Sequence, residues 1–123
     1  MILMVALGGA AGTLVRWWLS VRFPQATAAI PWTTLAINVG GSFVLGFVAR
    51  STATTALAPA AATALTVGVC GGFTTFSTFS GEVWSQIQRG AWVRASSYAV
   101  ISVVLCVVAV AAGDAIARSL RGD

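Results

Sequence analysis

Apolar residues run along this chain in four long blocks, separated by short polar or Pro-containing stretches. The blocks span about Ile2 to Leu19, Trp32 to Ala49, Ala60 to Gln88 and Arg94 to Ala117. A helix crossing the hydrocarbon core needs roughly 20 such residues, so each block is long enough to span. Four spans use about 80 residues and leave about 43 for the ends and connections, too few for a fifth. Pro31 and Pro59 stand at the starts of the second and third spans, where a helix tolerates a missing N–H. Pro24 and Gln25 mark a polar turn, and the Ser/Thr/Ala-rich stretch from Arg50 to Ala58 reads as a loop. The pattern predicts an all-α membrane protein with one domain over residues 1–123, without a long linker or internal repeat.

Two of the spans carry more than hydrophobicity. In the first, Gly8 and Gly12 stand in GxxxG register, which lets another helix approach closely. The third is too long for a simple span. A straight helix from Ala60 to Gln88 would reach about 43 Å, against a hydrocarbon core of roughly 30 Å. Its middle reads Gly71-Gly72-Phe73-Thr74-Thr75-Phe76-Ser77-Thr78-Phe79-Ser80-Gly81. Paired Gly and repeated Ser/Thr are poor helix formers. The stretch predicts a helix broken mid-membrane, near residues 71–76. Non-helical backbone at that depth is tolerated only when buried in protein or lining a wet cavity.

Composition removes most other classes. Charged residues are 8 % of the chain and hydrophobic ones 58 %, where a soluble domain carries roughly 25 % charged. His is absent, which excludes a His-built metalloenzyme. Glu82, Asp114 and Asp123 are the three carboxylates. The net charge of +4 comes from scattered Arg at the ends of the apolar blocks, not from a basic stripe, so no nucleic-acid partner is implied. The N-terminus has no basic leader segment and reads as a first span, not a removable signal. Cys70 and Cys106 fall mid-span and read as small buried hydrophobes. Trp17, Trp18, Trp32, Trp84 and Trp92 fall near span ends, where aromatic belts form.

The Arg count bears on orientation. Arg50, Arg118 and Arg121 belong to one membrane face; Arg22, Arg89 and Arg94 belong to the other, joined by Arg16 if it snorkels. The positive-inside rule needs an excess, and here it is zero or one. Insertion both ways up is predicted, and with it an antiparallel dimer about an axis in the membrane plane.

The broken span also carries the most chemistry. Hydroxyls of Thr and Ser can donate to an anion, and carbonyls freed from the helix can hold a cation. Phe76 and Phe79 are three apart on one helical face, and their positive ring edges can face a small anion without trapping it. Asn38 lies mid-span, where an unsatisfied amide costs several kcal/mol; it either joins helices or lines a cavity. Arg16 is read as snorkelling or as a positive vestibule charge, and Glu82 as its partner or as a lone rim residue. Asp114 and Arg118, at i,i+4, make a local pair. Tyr98 and Ser102, also four apart, form either a polar stripe or an interfacial anchor beside a Ser bonded to its own backbone.

Gly8-Gly9-Ala10-Ala11-Gly12 leading to Arg16, then Thr34-Leu35-Ala36-Ile37-Asn38-Val39-Gly40-Gly41-Ser42-Phe43 with Gly46, then Gly71-Gly72-Phe73-Thr74-Thr75-Phe76-Ser77-Thr78-Phe79 with Glu82, resembles the CrcB (Fluc) family of fluoride channels. The resemblance extends over all four spans. It implies a multi-pass protein of the cell membrane, built as a dual-topology antiparallel homodimer with two fluoride pores. Asn38, Phe76, Phe79, Ser77, Thr78, Tyr98 and Ser102 match its pore residues, and Arg16 and Glu82 its vestibule. It also implies a structural Na⁺ at the dimer centre, held by the backbone carbonyls of Gly71 and Thr74 from each subunit. Where a further hydroxyl is expected one turn beyond Ser102, this chain has Cys106, a weak donor.

The function this implies is passive fluoride export, and so fluoride resistance, with no enzymatic step. A small proton-coupled multidrug exporter of four spans is the alternative. The first, second and early third spans lack the intramembrane carboxylate that proton coupling uses. A non-transporting scaffold packed through its Gly faces is a third class, and the polar broken helix argues against it.

Overall fold

A computed structural model describes residues 1–25, 30–53 and 59–122. Every regular element among them is helical. Helix α1 covers Ile2–Arg22 and α2 covers Trp32–Ala53. The third span begins as α3 (Pro59–Thr63), widens into a π-helical segment over Ala64–Cys70, and closes with α4 (Gly71–Phe73). After two extended residues it resumes as α5 (Phe76–Gln88). Helix α6 covers Trp92–Ser119. Among the described residues, four segments are long and apolar enough to cross a membrane: Ile2–Arg22, Trp32–Ala53, Pro59–Gln88 and Trp92–Ser119. The chain is a multi-pass membrane protein.

Two expectations need correction. Arg50 to Ala53 were assigned to a loop, yet α2 continues through them. One local and one long-range contact hold this turn: Thr52 donates its hydroxyl back to the Ala49 carbonyl, and Arg121 Nη2, from the far end of the chain, donates to the Ser51 carbonyl at 2.7 Å. The rest of that loop, 54–58, lies outside the described residues, as does Asp123. The π-helical turns before the break were not anticipated at all. Such turns are rare and concentrate at functional sites.

Glycine sets how closely the helices pack. A Cβ on Gly12 would strike the Val69 carbonyl, and one on Gly72 the Gly9 carbonyl. The GxxxG face of α1 thus lies directly against the π-helical segment and α4. The same device joins α2 to α6, where Gly46 meets the Val110 backbone and Gly113 the Phe43 backbone. These backbone-to-backbone contacts leave little interior. The buried cluster is small: Leu35, Phe79 and Tyr98, flanked by Ile30, Val39, Val83 and Ala99. Most large apolar side chains instead face outward, among them Leu3, Leu7 and Leu14 on α1 and Val100, Val104 and Val108 on α6. Lipid rather than a protein core takes up that surface.

All five Trp are exposed. By the helix order they gather at one end of the bundle: late in α1, at the start of α2, late in α5 and at the start of α6. At the opposite end the Asp114–Arg118 pair forms as expected, with Arg118 Nε at 2.8 Å from Asp114 Oδ2.

Candidate functional site

The break in the third span is made by two residues. Thr74 (φ −79°, ψ 158°) and Thr75 (φ −147°, ψ 109°) are both extended. A new helix must then start, and Thr75 caps it: its side chain accepts the Thr78 N–H at 3.2 Å. The same hydroxyl donates to Thr78 Oγ1 at 2.9 Å and lies 3.4 Å from Ser77 Oγ. Such caps supply one acceptor to the orphan N–H groups of a first turn.

Asn38 on α2 holds the break from the side. Its Oδ1 accepts the Thr75 N–H at 2.8 Å, and its Nδ2 donates to the Thr75 carbonyl at 3.1 Å. A continuing helix would have given that N–H to the Gly71 carbonyl. The other carbonyls near the break differ in their fates. Cys70 accepts both the N–H (3.0 Å) and the hydroxyl (2.9 Å) of Thr74. Gly72 accepts Arg16 Nε at 3.1 Å and the Thr13 hydroxyl at 3.4 Å. Among the described residues, no hydrogen bond reaches the carbonyls of Gly71, Phe73 or Thr74. A Cβ built on Gly71 meets nothing within 4 Å, so this backbone lies on an open face.

Beside the break lies an open cleft of about 400 Å³, lined by α2, the third span and α6. Asn38, Ser42, Thr66, Thr74, Thr75 and Ser102 supply its polar wall; Phe76 and Phe79 supply its aromatic one. None of the described residues that line it carries a formal charge. Ser102 is buried, and among the described residues no group lies within hydrogen-bonding geometry of its hydroxyl. Of the two readings of Ser102, the bond to its own backbone is therefore not the one found, and the hydroxyl lies on the cleft wall. Phe79 is buried and stacks at 5.5 Å from Phe76 and 5.3 Å from Tyr98, both tilted. Phe76 is 77 % exposed, standing out from the subunit.

Tyr98 is 1 % exposed, so it is not an interfacial anchor. It lies behind Phe79 and donates its hydroxyl to Glu82 Oε2 at 2.7 Å. Oε1 of Glu82 accepts the Thr34 hydroxyl at 2.6 Å and Gln25 Nε2 at 2.9 Å. Glu82 is thus neither the partner of Arg16 nor a lone rim residue. It ties the first loop, α2 and α6 to α5, while Arg16 turns to the Gly72 carbonyl.

The sequence model of the family described as CrcB-like protein, Camphor Resistance (CrcB) matches residues 3–114. The chain belongs to the CrcB family. Among its CrcB relatives is a protein of Methylobacterium radiotolerans, 40 % identical over 123 residues, covering 98 % of this chain and 86 % of the relative. One from Sorangium cellulosum is 42 % identical over 118 residues (94 % and 93 %), and one from Paramagnetospirillum magneticum 43 % over 122 (96 % and 95 %). Each of these relatives is named a fluoride-specific ion channel, FluC.

For a CrcB chain the site residues divide into groups. Asn38, Phe76, Phe79 and Ser102 meet at the cleft, together with Gly71 and Thr74. Ser77 and Thr78 lie on the exposed first turn of α5, and Tyr98 and Glu82 form the network behind Phe79. Sequence reasoning did not single out Thr75, Ser42 or Thr34 as site residues. The last two were detectable: Thr34, Asn38 and Ser42 recur at i,i+4 and so share a face of α2. The capping hydroxyl of Thr75 was detectable as well, since Thr is a favoured N-cap; its bond to Asn38 was not, because that rests on its N–H and carbonyl, groups that other residues also have.

Proposed function

We propose that this chain forms a passive, fluoride-selective channel that lets cytoplasmic fluoride leave the cell. The observation that carries the reading is the uncharged cleft where Asn38, Ser102, Phe76 and Phe79 converge. Fluoride is small and strongly hydrated, so donors must replace its water. Hydroxyls and positive ring edges can do so without the fixed charge that would hold the ion too long. The buried Ser102 hydroxyl on the cleft wall is such a donor. A membrane potential drives an anion out with about 2.3 kcal/mol per 100 mV, so neither ATP nor a proton gradient is required.

The working unit in this reading is an antiparallel homodimer. The Arg residues give no clear orientation. The Trp residues gather at one end, so an inverted second copy supplies the aromatic belt of the other leaflet. The exposed Phe76 then meets the partner rather than lipid. In that dimer the carbonyls of Gly71 and Thr74 hold a structural Na⁺. Their lack of hydrogen bonds and the open face at Gly71 suit this, since hard cations prefer oxygen ligands. The ion would supply positive charge to carbonyls otherwise left bare between two subunits.

The test is fluoride efflux from liposomes holding this protein alone, read with a fluoride electrode and with chloride as control. Fluoride release without chloride release is expected. No fluoride flux, or equal chloride flux, overturns the reading. A reporter fused to the C-terminus and detected on one side of the membrane only would remove the antiparallel dimer.

A further inference from the structure

Arg16 invites a simple explanation as a positive charge that draws anions to the pore mouth. Its contacts point elsewhere. Arg16 Nε donates to the Gly72 carbonyl at 3.1 Å, and Thr13, on the same face of α1, adds its hydroxyl at 3.4 Å. Gly72 is in the last turn before the break, where a helix presents carbonyls that have lost their partners. A cation at that end also meets the negative pole of the helix. The guanidinium is therefore acting on the backbone of the broken helix.

The neighbouring residue gives this contact its meaning. Gly71 and Gly72 adjoin, and Gly-Gly is the least restrained backbone in the span. Asn38 removes the Thr75 N–H from Gly71 and leaves that carbonyl bare. Gly71 is helical (φ −64°, ψ −36°) and its N–H donates to the Gly68 carbonyl, so its bare carbonyl follows the helix and the peptides on either side of it. On one side Cys70 is tied by both donors of Thr74. On the other, Arg16 and Thr13 tie Gly72. The Gly71 carbonyl is held between two pinned neighbours.

We infer that Arg16 is a positioning residue for the cation site: by clamping Gly72 it aims the Gly71 carbonyl that the proposed Na⁺ would use. This rests on the Na⁺-bridged dimer proposed above. Arg16 acts through the backbone and touches neither the cation nor the anion.

Purified protein in detergent tests it, with Na⁺ titrated against N-methylglucamine and the dimer fraction read by light scattering. Fluoride efflux from liposomes is measured in parallel. Arg16→Gln and Arg16→Lys remove a charge-assisted bond of fixed geometry, so both should raise the Na⁺ needed for half-maximal dimer roughly tenfold. Thr13→Val, which leaves every charge in place, should shift it in the same direction by a smaller factor. If Arg16→Lys behaves as the native protein while Arg16→Gln lowers flux without moving the Na⁺ requirement, Arg16 is a vestibule charge and the inference is overturned. Should the Arg16 variants fail to fold, Thr13→Val decides, and an unmoved Na⁺ requirement refutes it. A native dimer indifferent to Na⁺ removes the cation site and this inference together. Fluoride efflux by the same preparation would leave the channel itself standing.

Discussion

Replacing Asn38 with Ala tests whether the broken helix is held open from outside. The side chain makes two hydrogen bonds to one residue, 2.8 Å to the Thr75 N–H and 3.1 Å to its carbonyl. Each such bond contributes a net 0.5–1.5 kcal/mol, so their joint loss costs about 1–3 kcal/mol. The chain has a way to recover part of this. With the amide gone, the Thr75 N–H can bond the Gly71 carbonyl, which extends the first half-helix by a residue and narrows the break. The expected loss of stability is therefore near the low end, about 1 kcal/mol. The loss of function should be much larger, because the healed break withdraws the Gly71 carbonyl and shifts Thr75 and Phe76 together. Thermal unfolding in detergent, followed by circular dichroism, reads the first quantity; fluoride efflux from liposomes reads the second. Asn38→Asp refines the test. It keeps the acceptor for Thr75 N–H, so it should unfold later than Ala. Its carboxylate would still repel an anion from the cleft, so its flux should stay low. Native flux in Asn38→Ala, with unfolding unchanged, would refute the idea that the amide holds the break.

Three further outcomes are expected. Phe76→Ile should leave unfolding within about 0.5 kcal/mol of native, since Phe76 is exposed in the subunit, yet cut fluoride flux sharply; native flux removes the ring from the path. Tyr98→Phe deletes the hydroxyl bonded to Glu82 in a buried setting and should destabilise by about 1–3 kcal/mol, with unchanged unfolding counting against the network. Cys106→Ser puts a stronger donor on the cleft wall one turn from Ser102 and should raise flux, whereas equal or lower flux takes Cys106 off the conducting path.

How much of this was readable in the chain depends on which atoms do the work. The four spans were, because the bilayer imposes length and apolarity on each. The broken third span was too, since a stretch that long must bend or break and its Gly and Thr mark the place. The GxxxG face of α1 and the Asp114–Arg118 pair depend on residue type and spacing, and both formed. What escaped was carried by the backbone or by long-range partner choice. The π-helical segment over Ala64–Cys70 has no composition signal. The grip of Asn38 on Thr75 joins residues 37 apart through main-chain atoms. Arg16 and Glu82, expected near one membrane face, diverge to different partners, one to a carbonyl and the other to three donors. Nothing in their spacing decides between pairing and divergence.

The partners of Glu82 also bear on the competing idea of proton-coupled export. Coupling requires a membrane carboxylate that takes a proton from water and gives it back to water in alternation with substrate binding. Glu82 is the carboxylate nearest the cleft along the third span, but it is not among the residues lining it. Phe79 and Tyr98 stand between the two. Its oxygens accept from Gln25, Thr34 and Tyr98, donors on three different parts of the chain. Each turnover of an exporter would have to break and remake that set, at about 1.5–3 kcal/mol for a hydrogen bond to a charged group. The same arrangement is well suited to a static task. It fixes α5 against α2 and α6, and with α5 it fixes the angle at which Phe79 and Phe76 meet the cleft. A channel that conducts without a coupled cycle gains from such a brace, and a transporter that must release it every cycle does not.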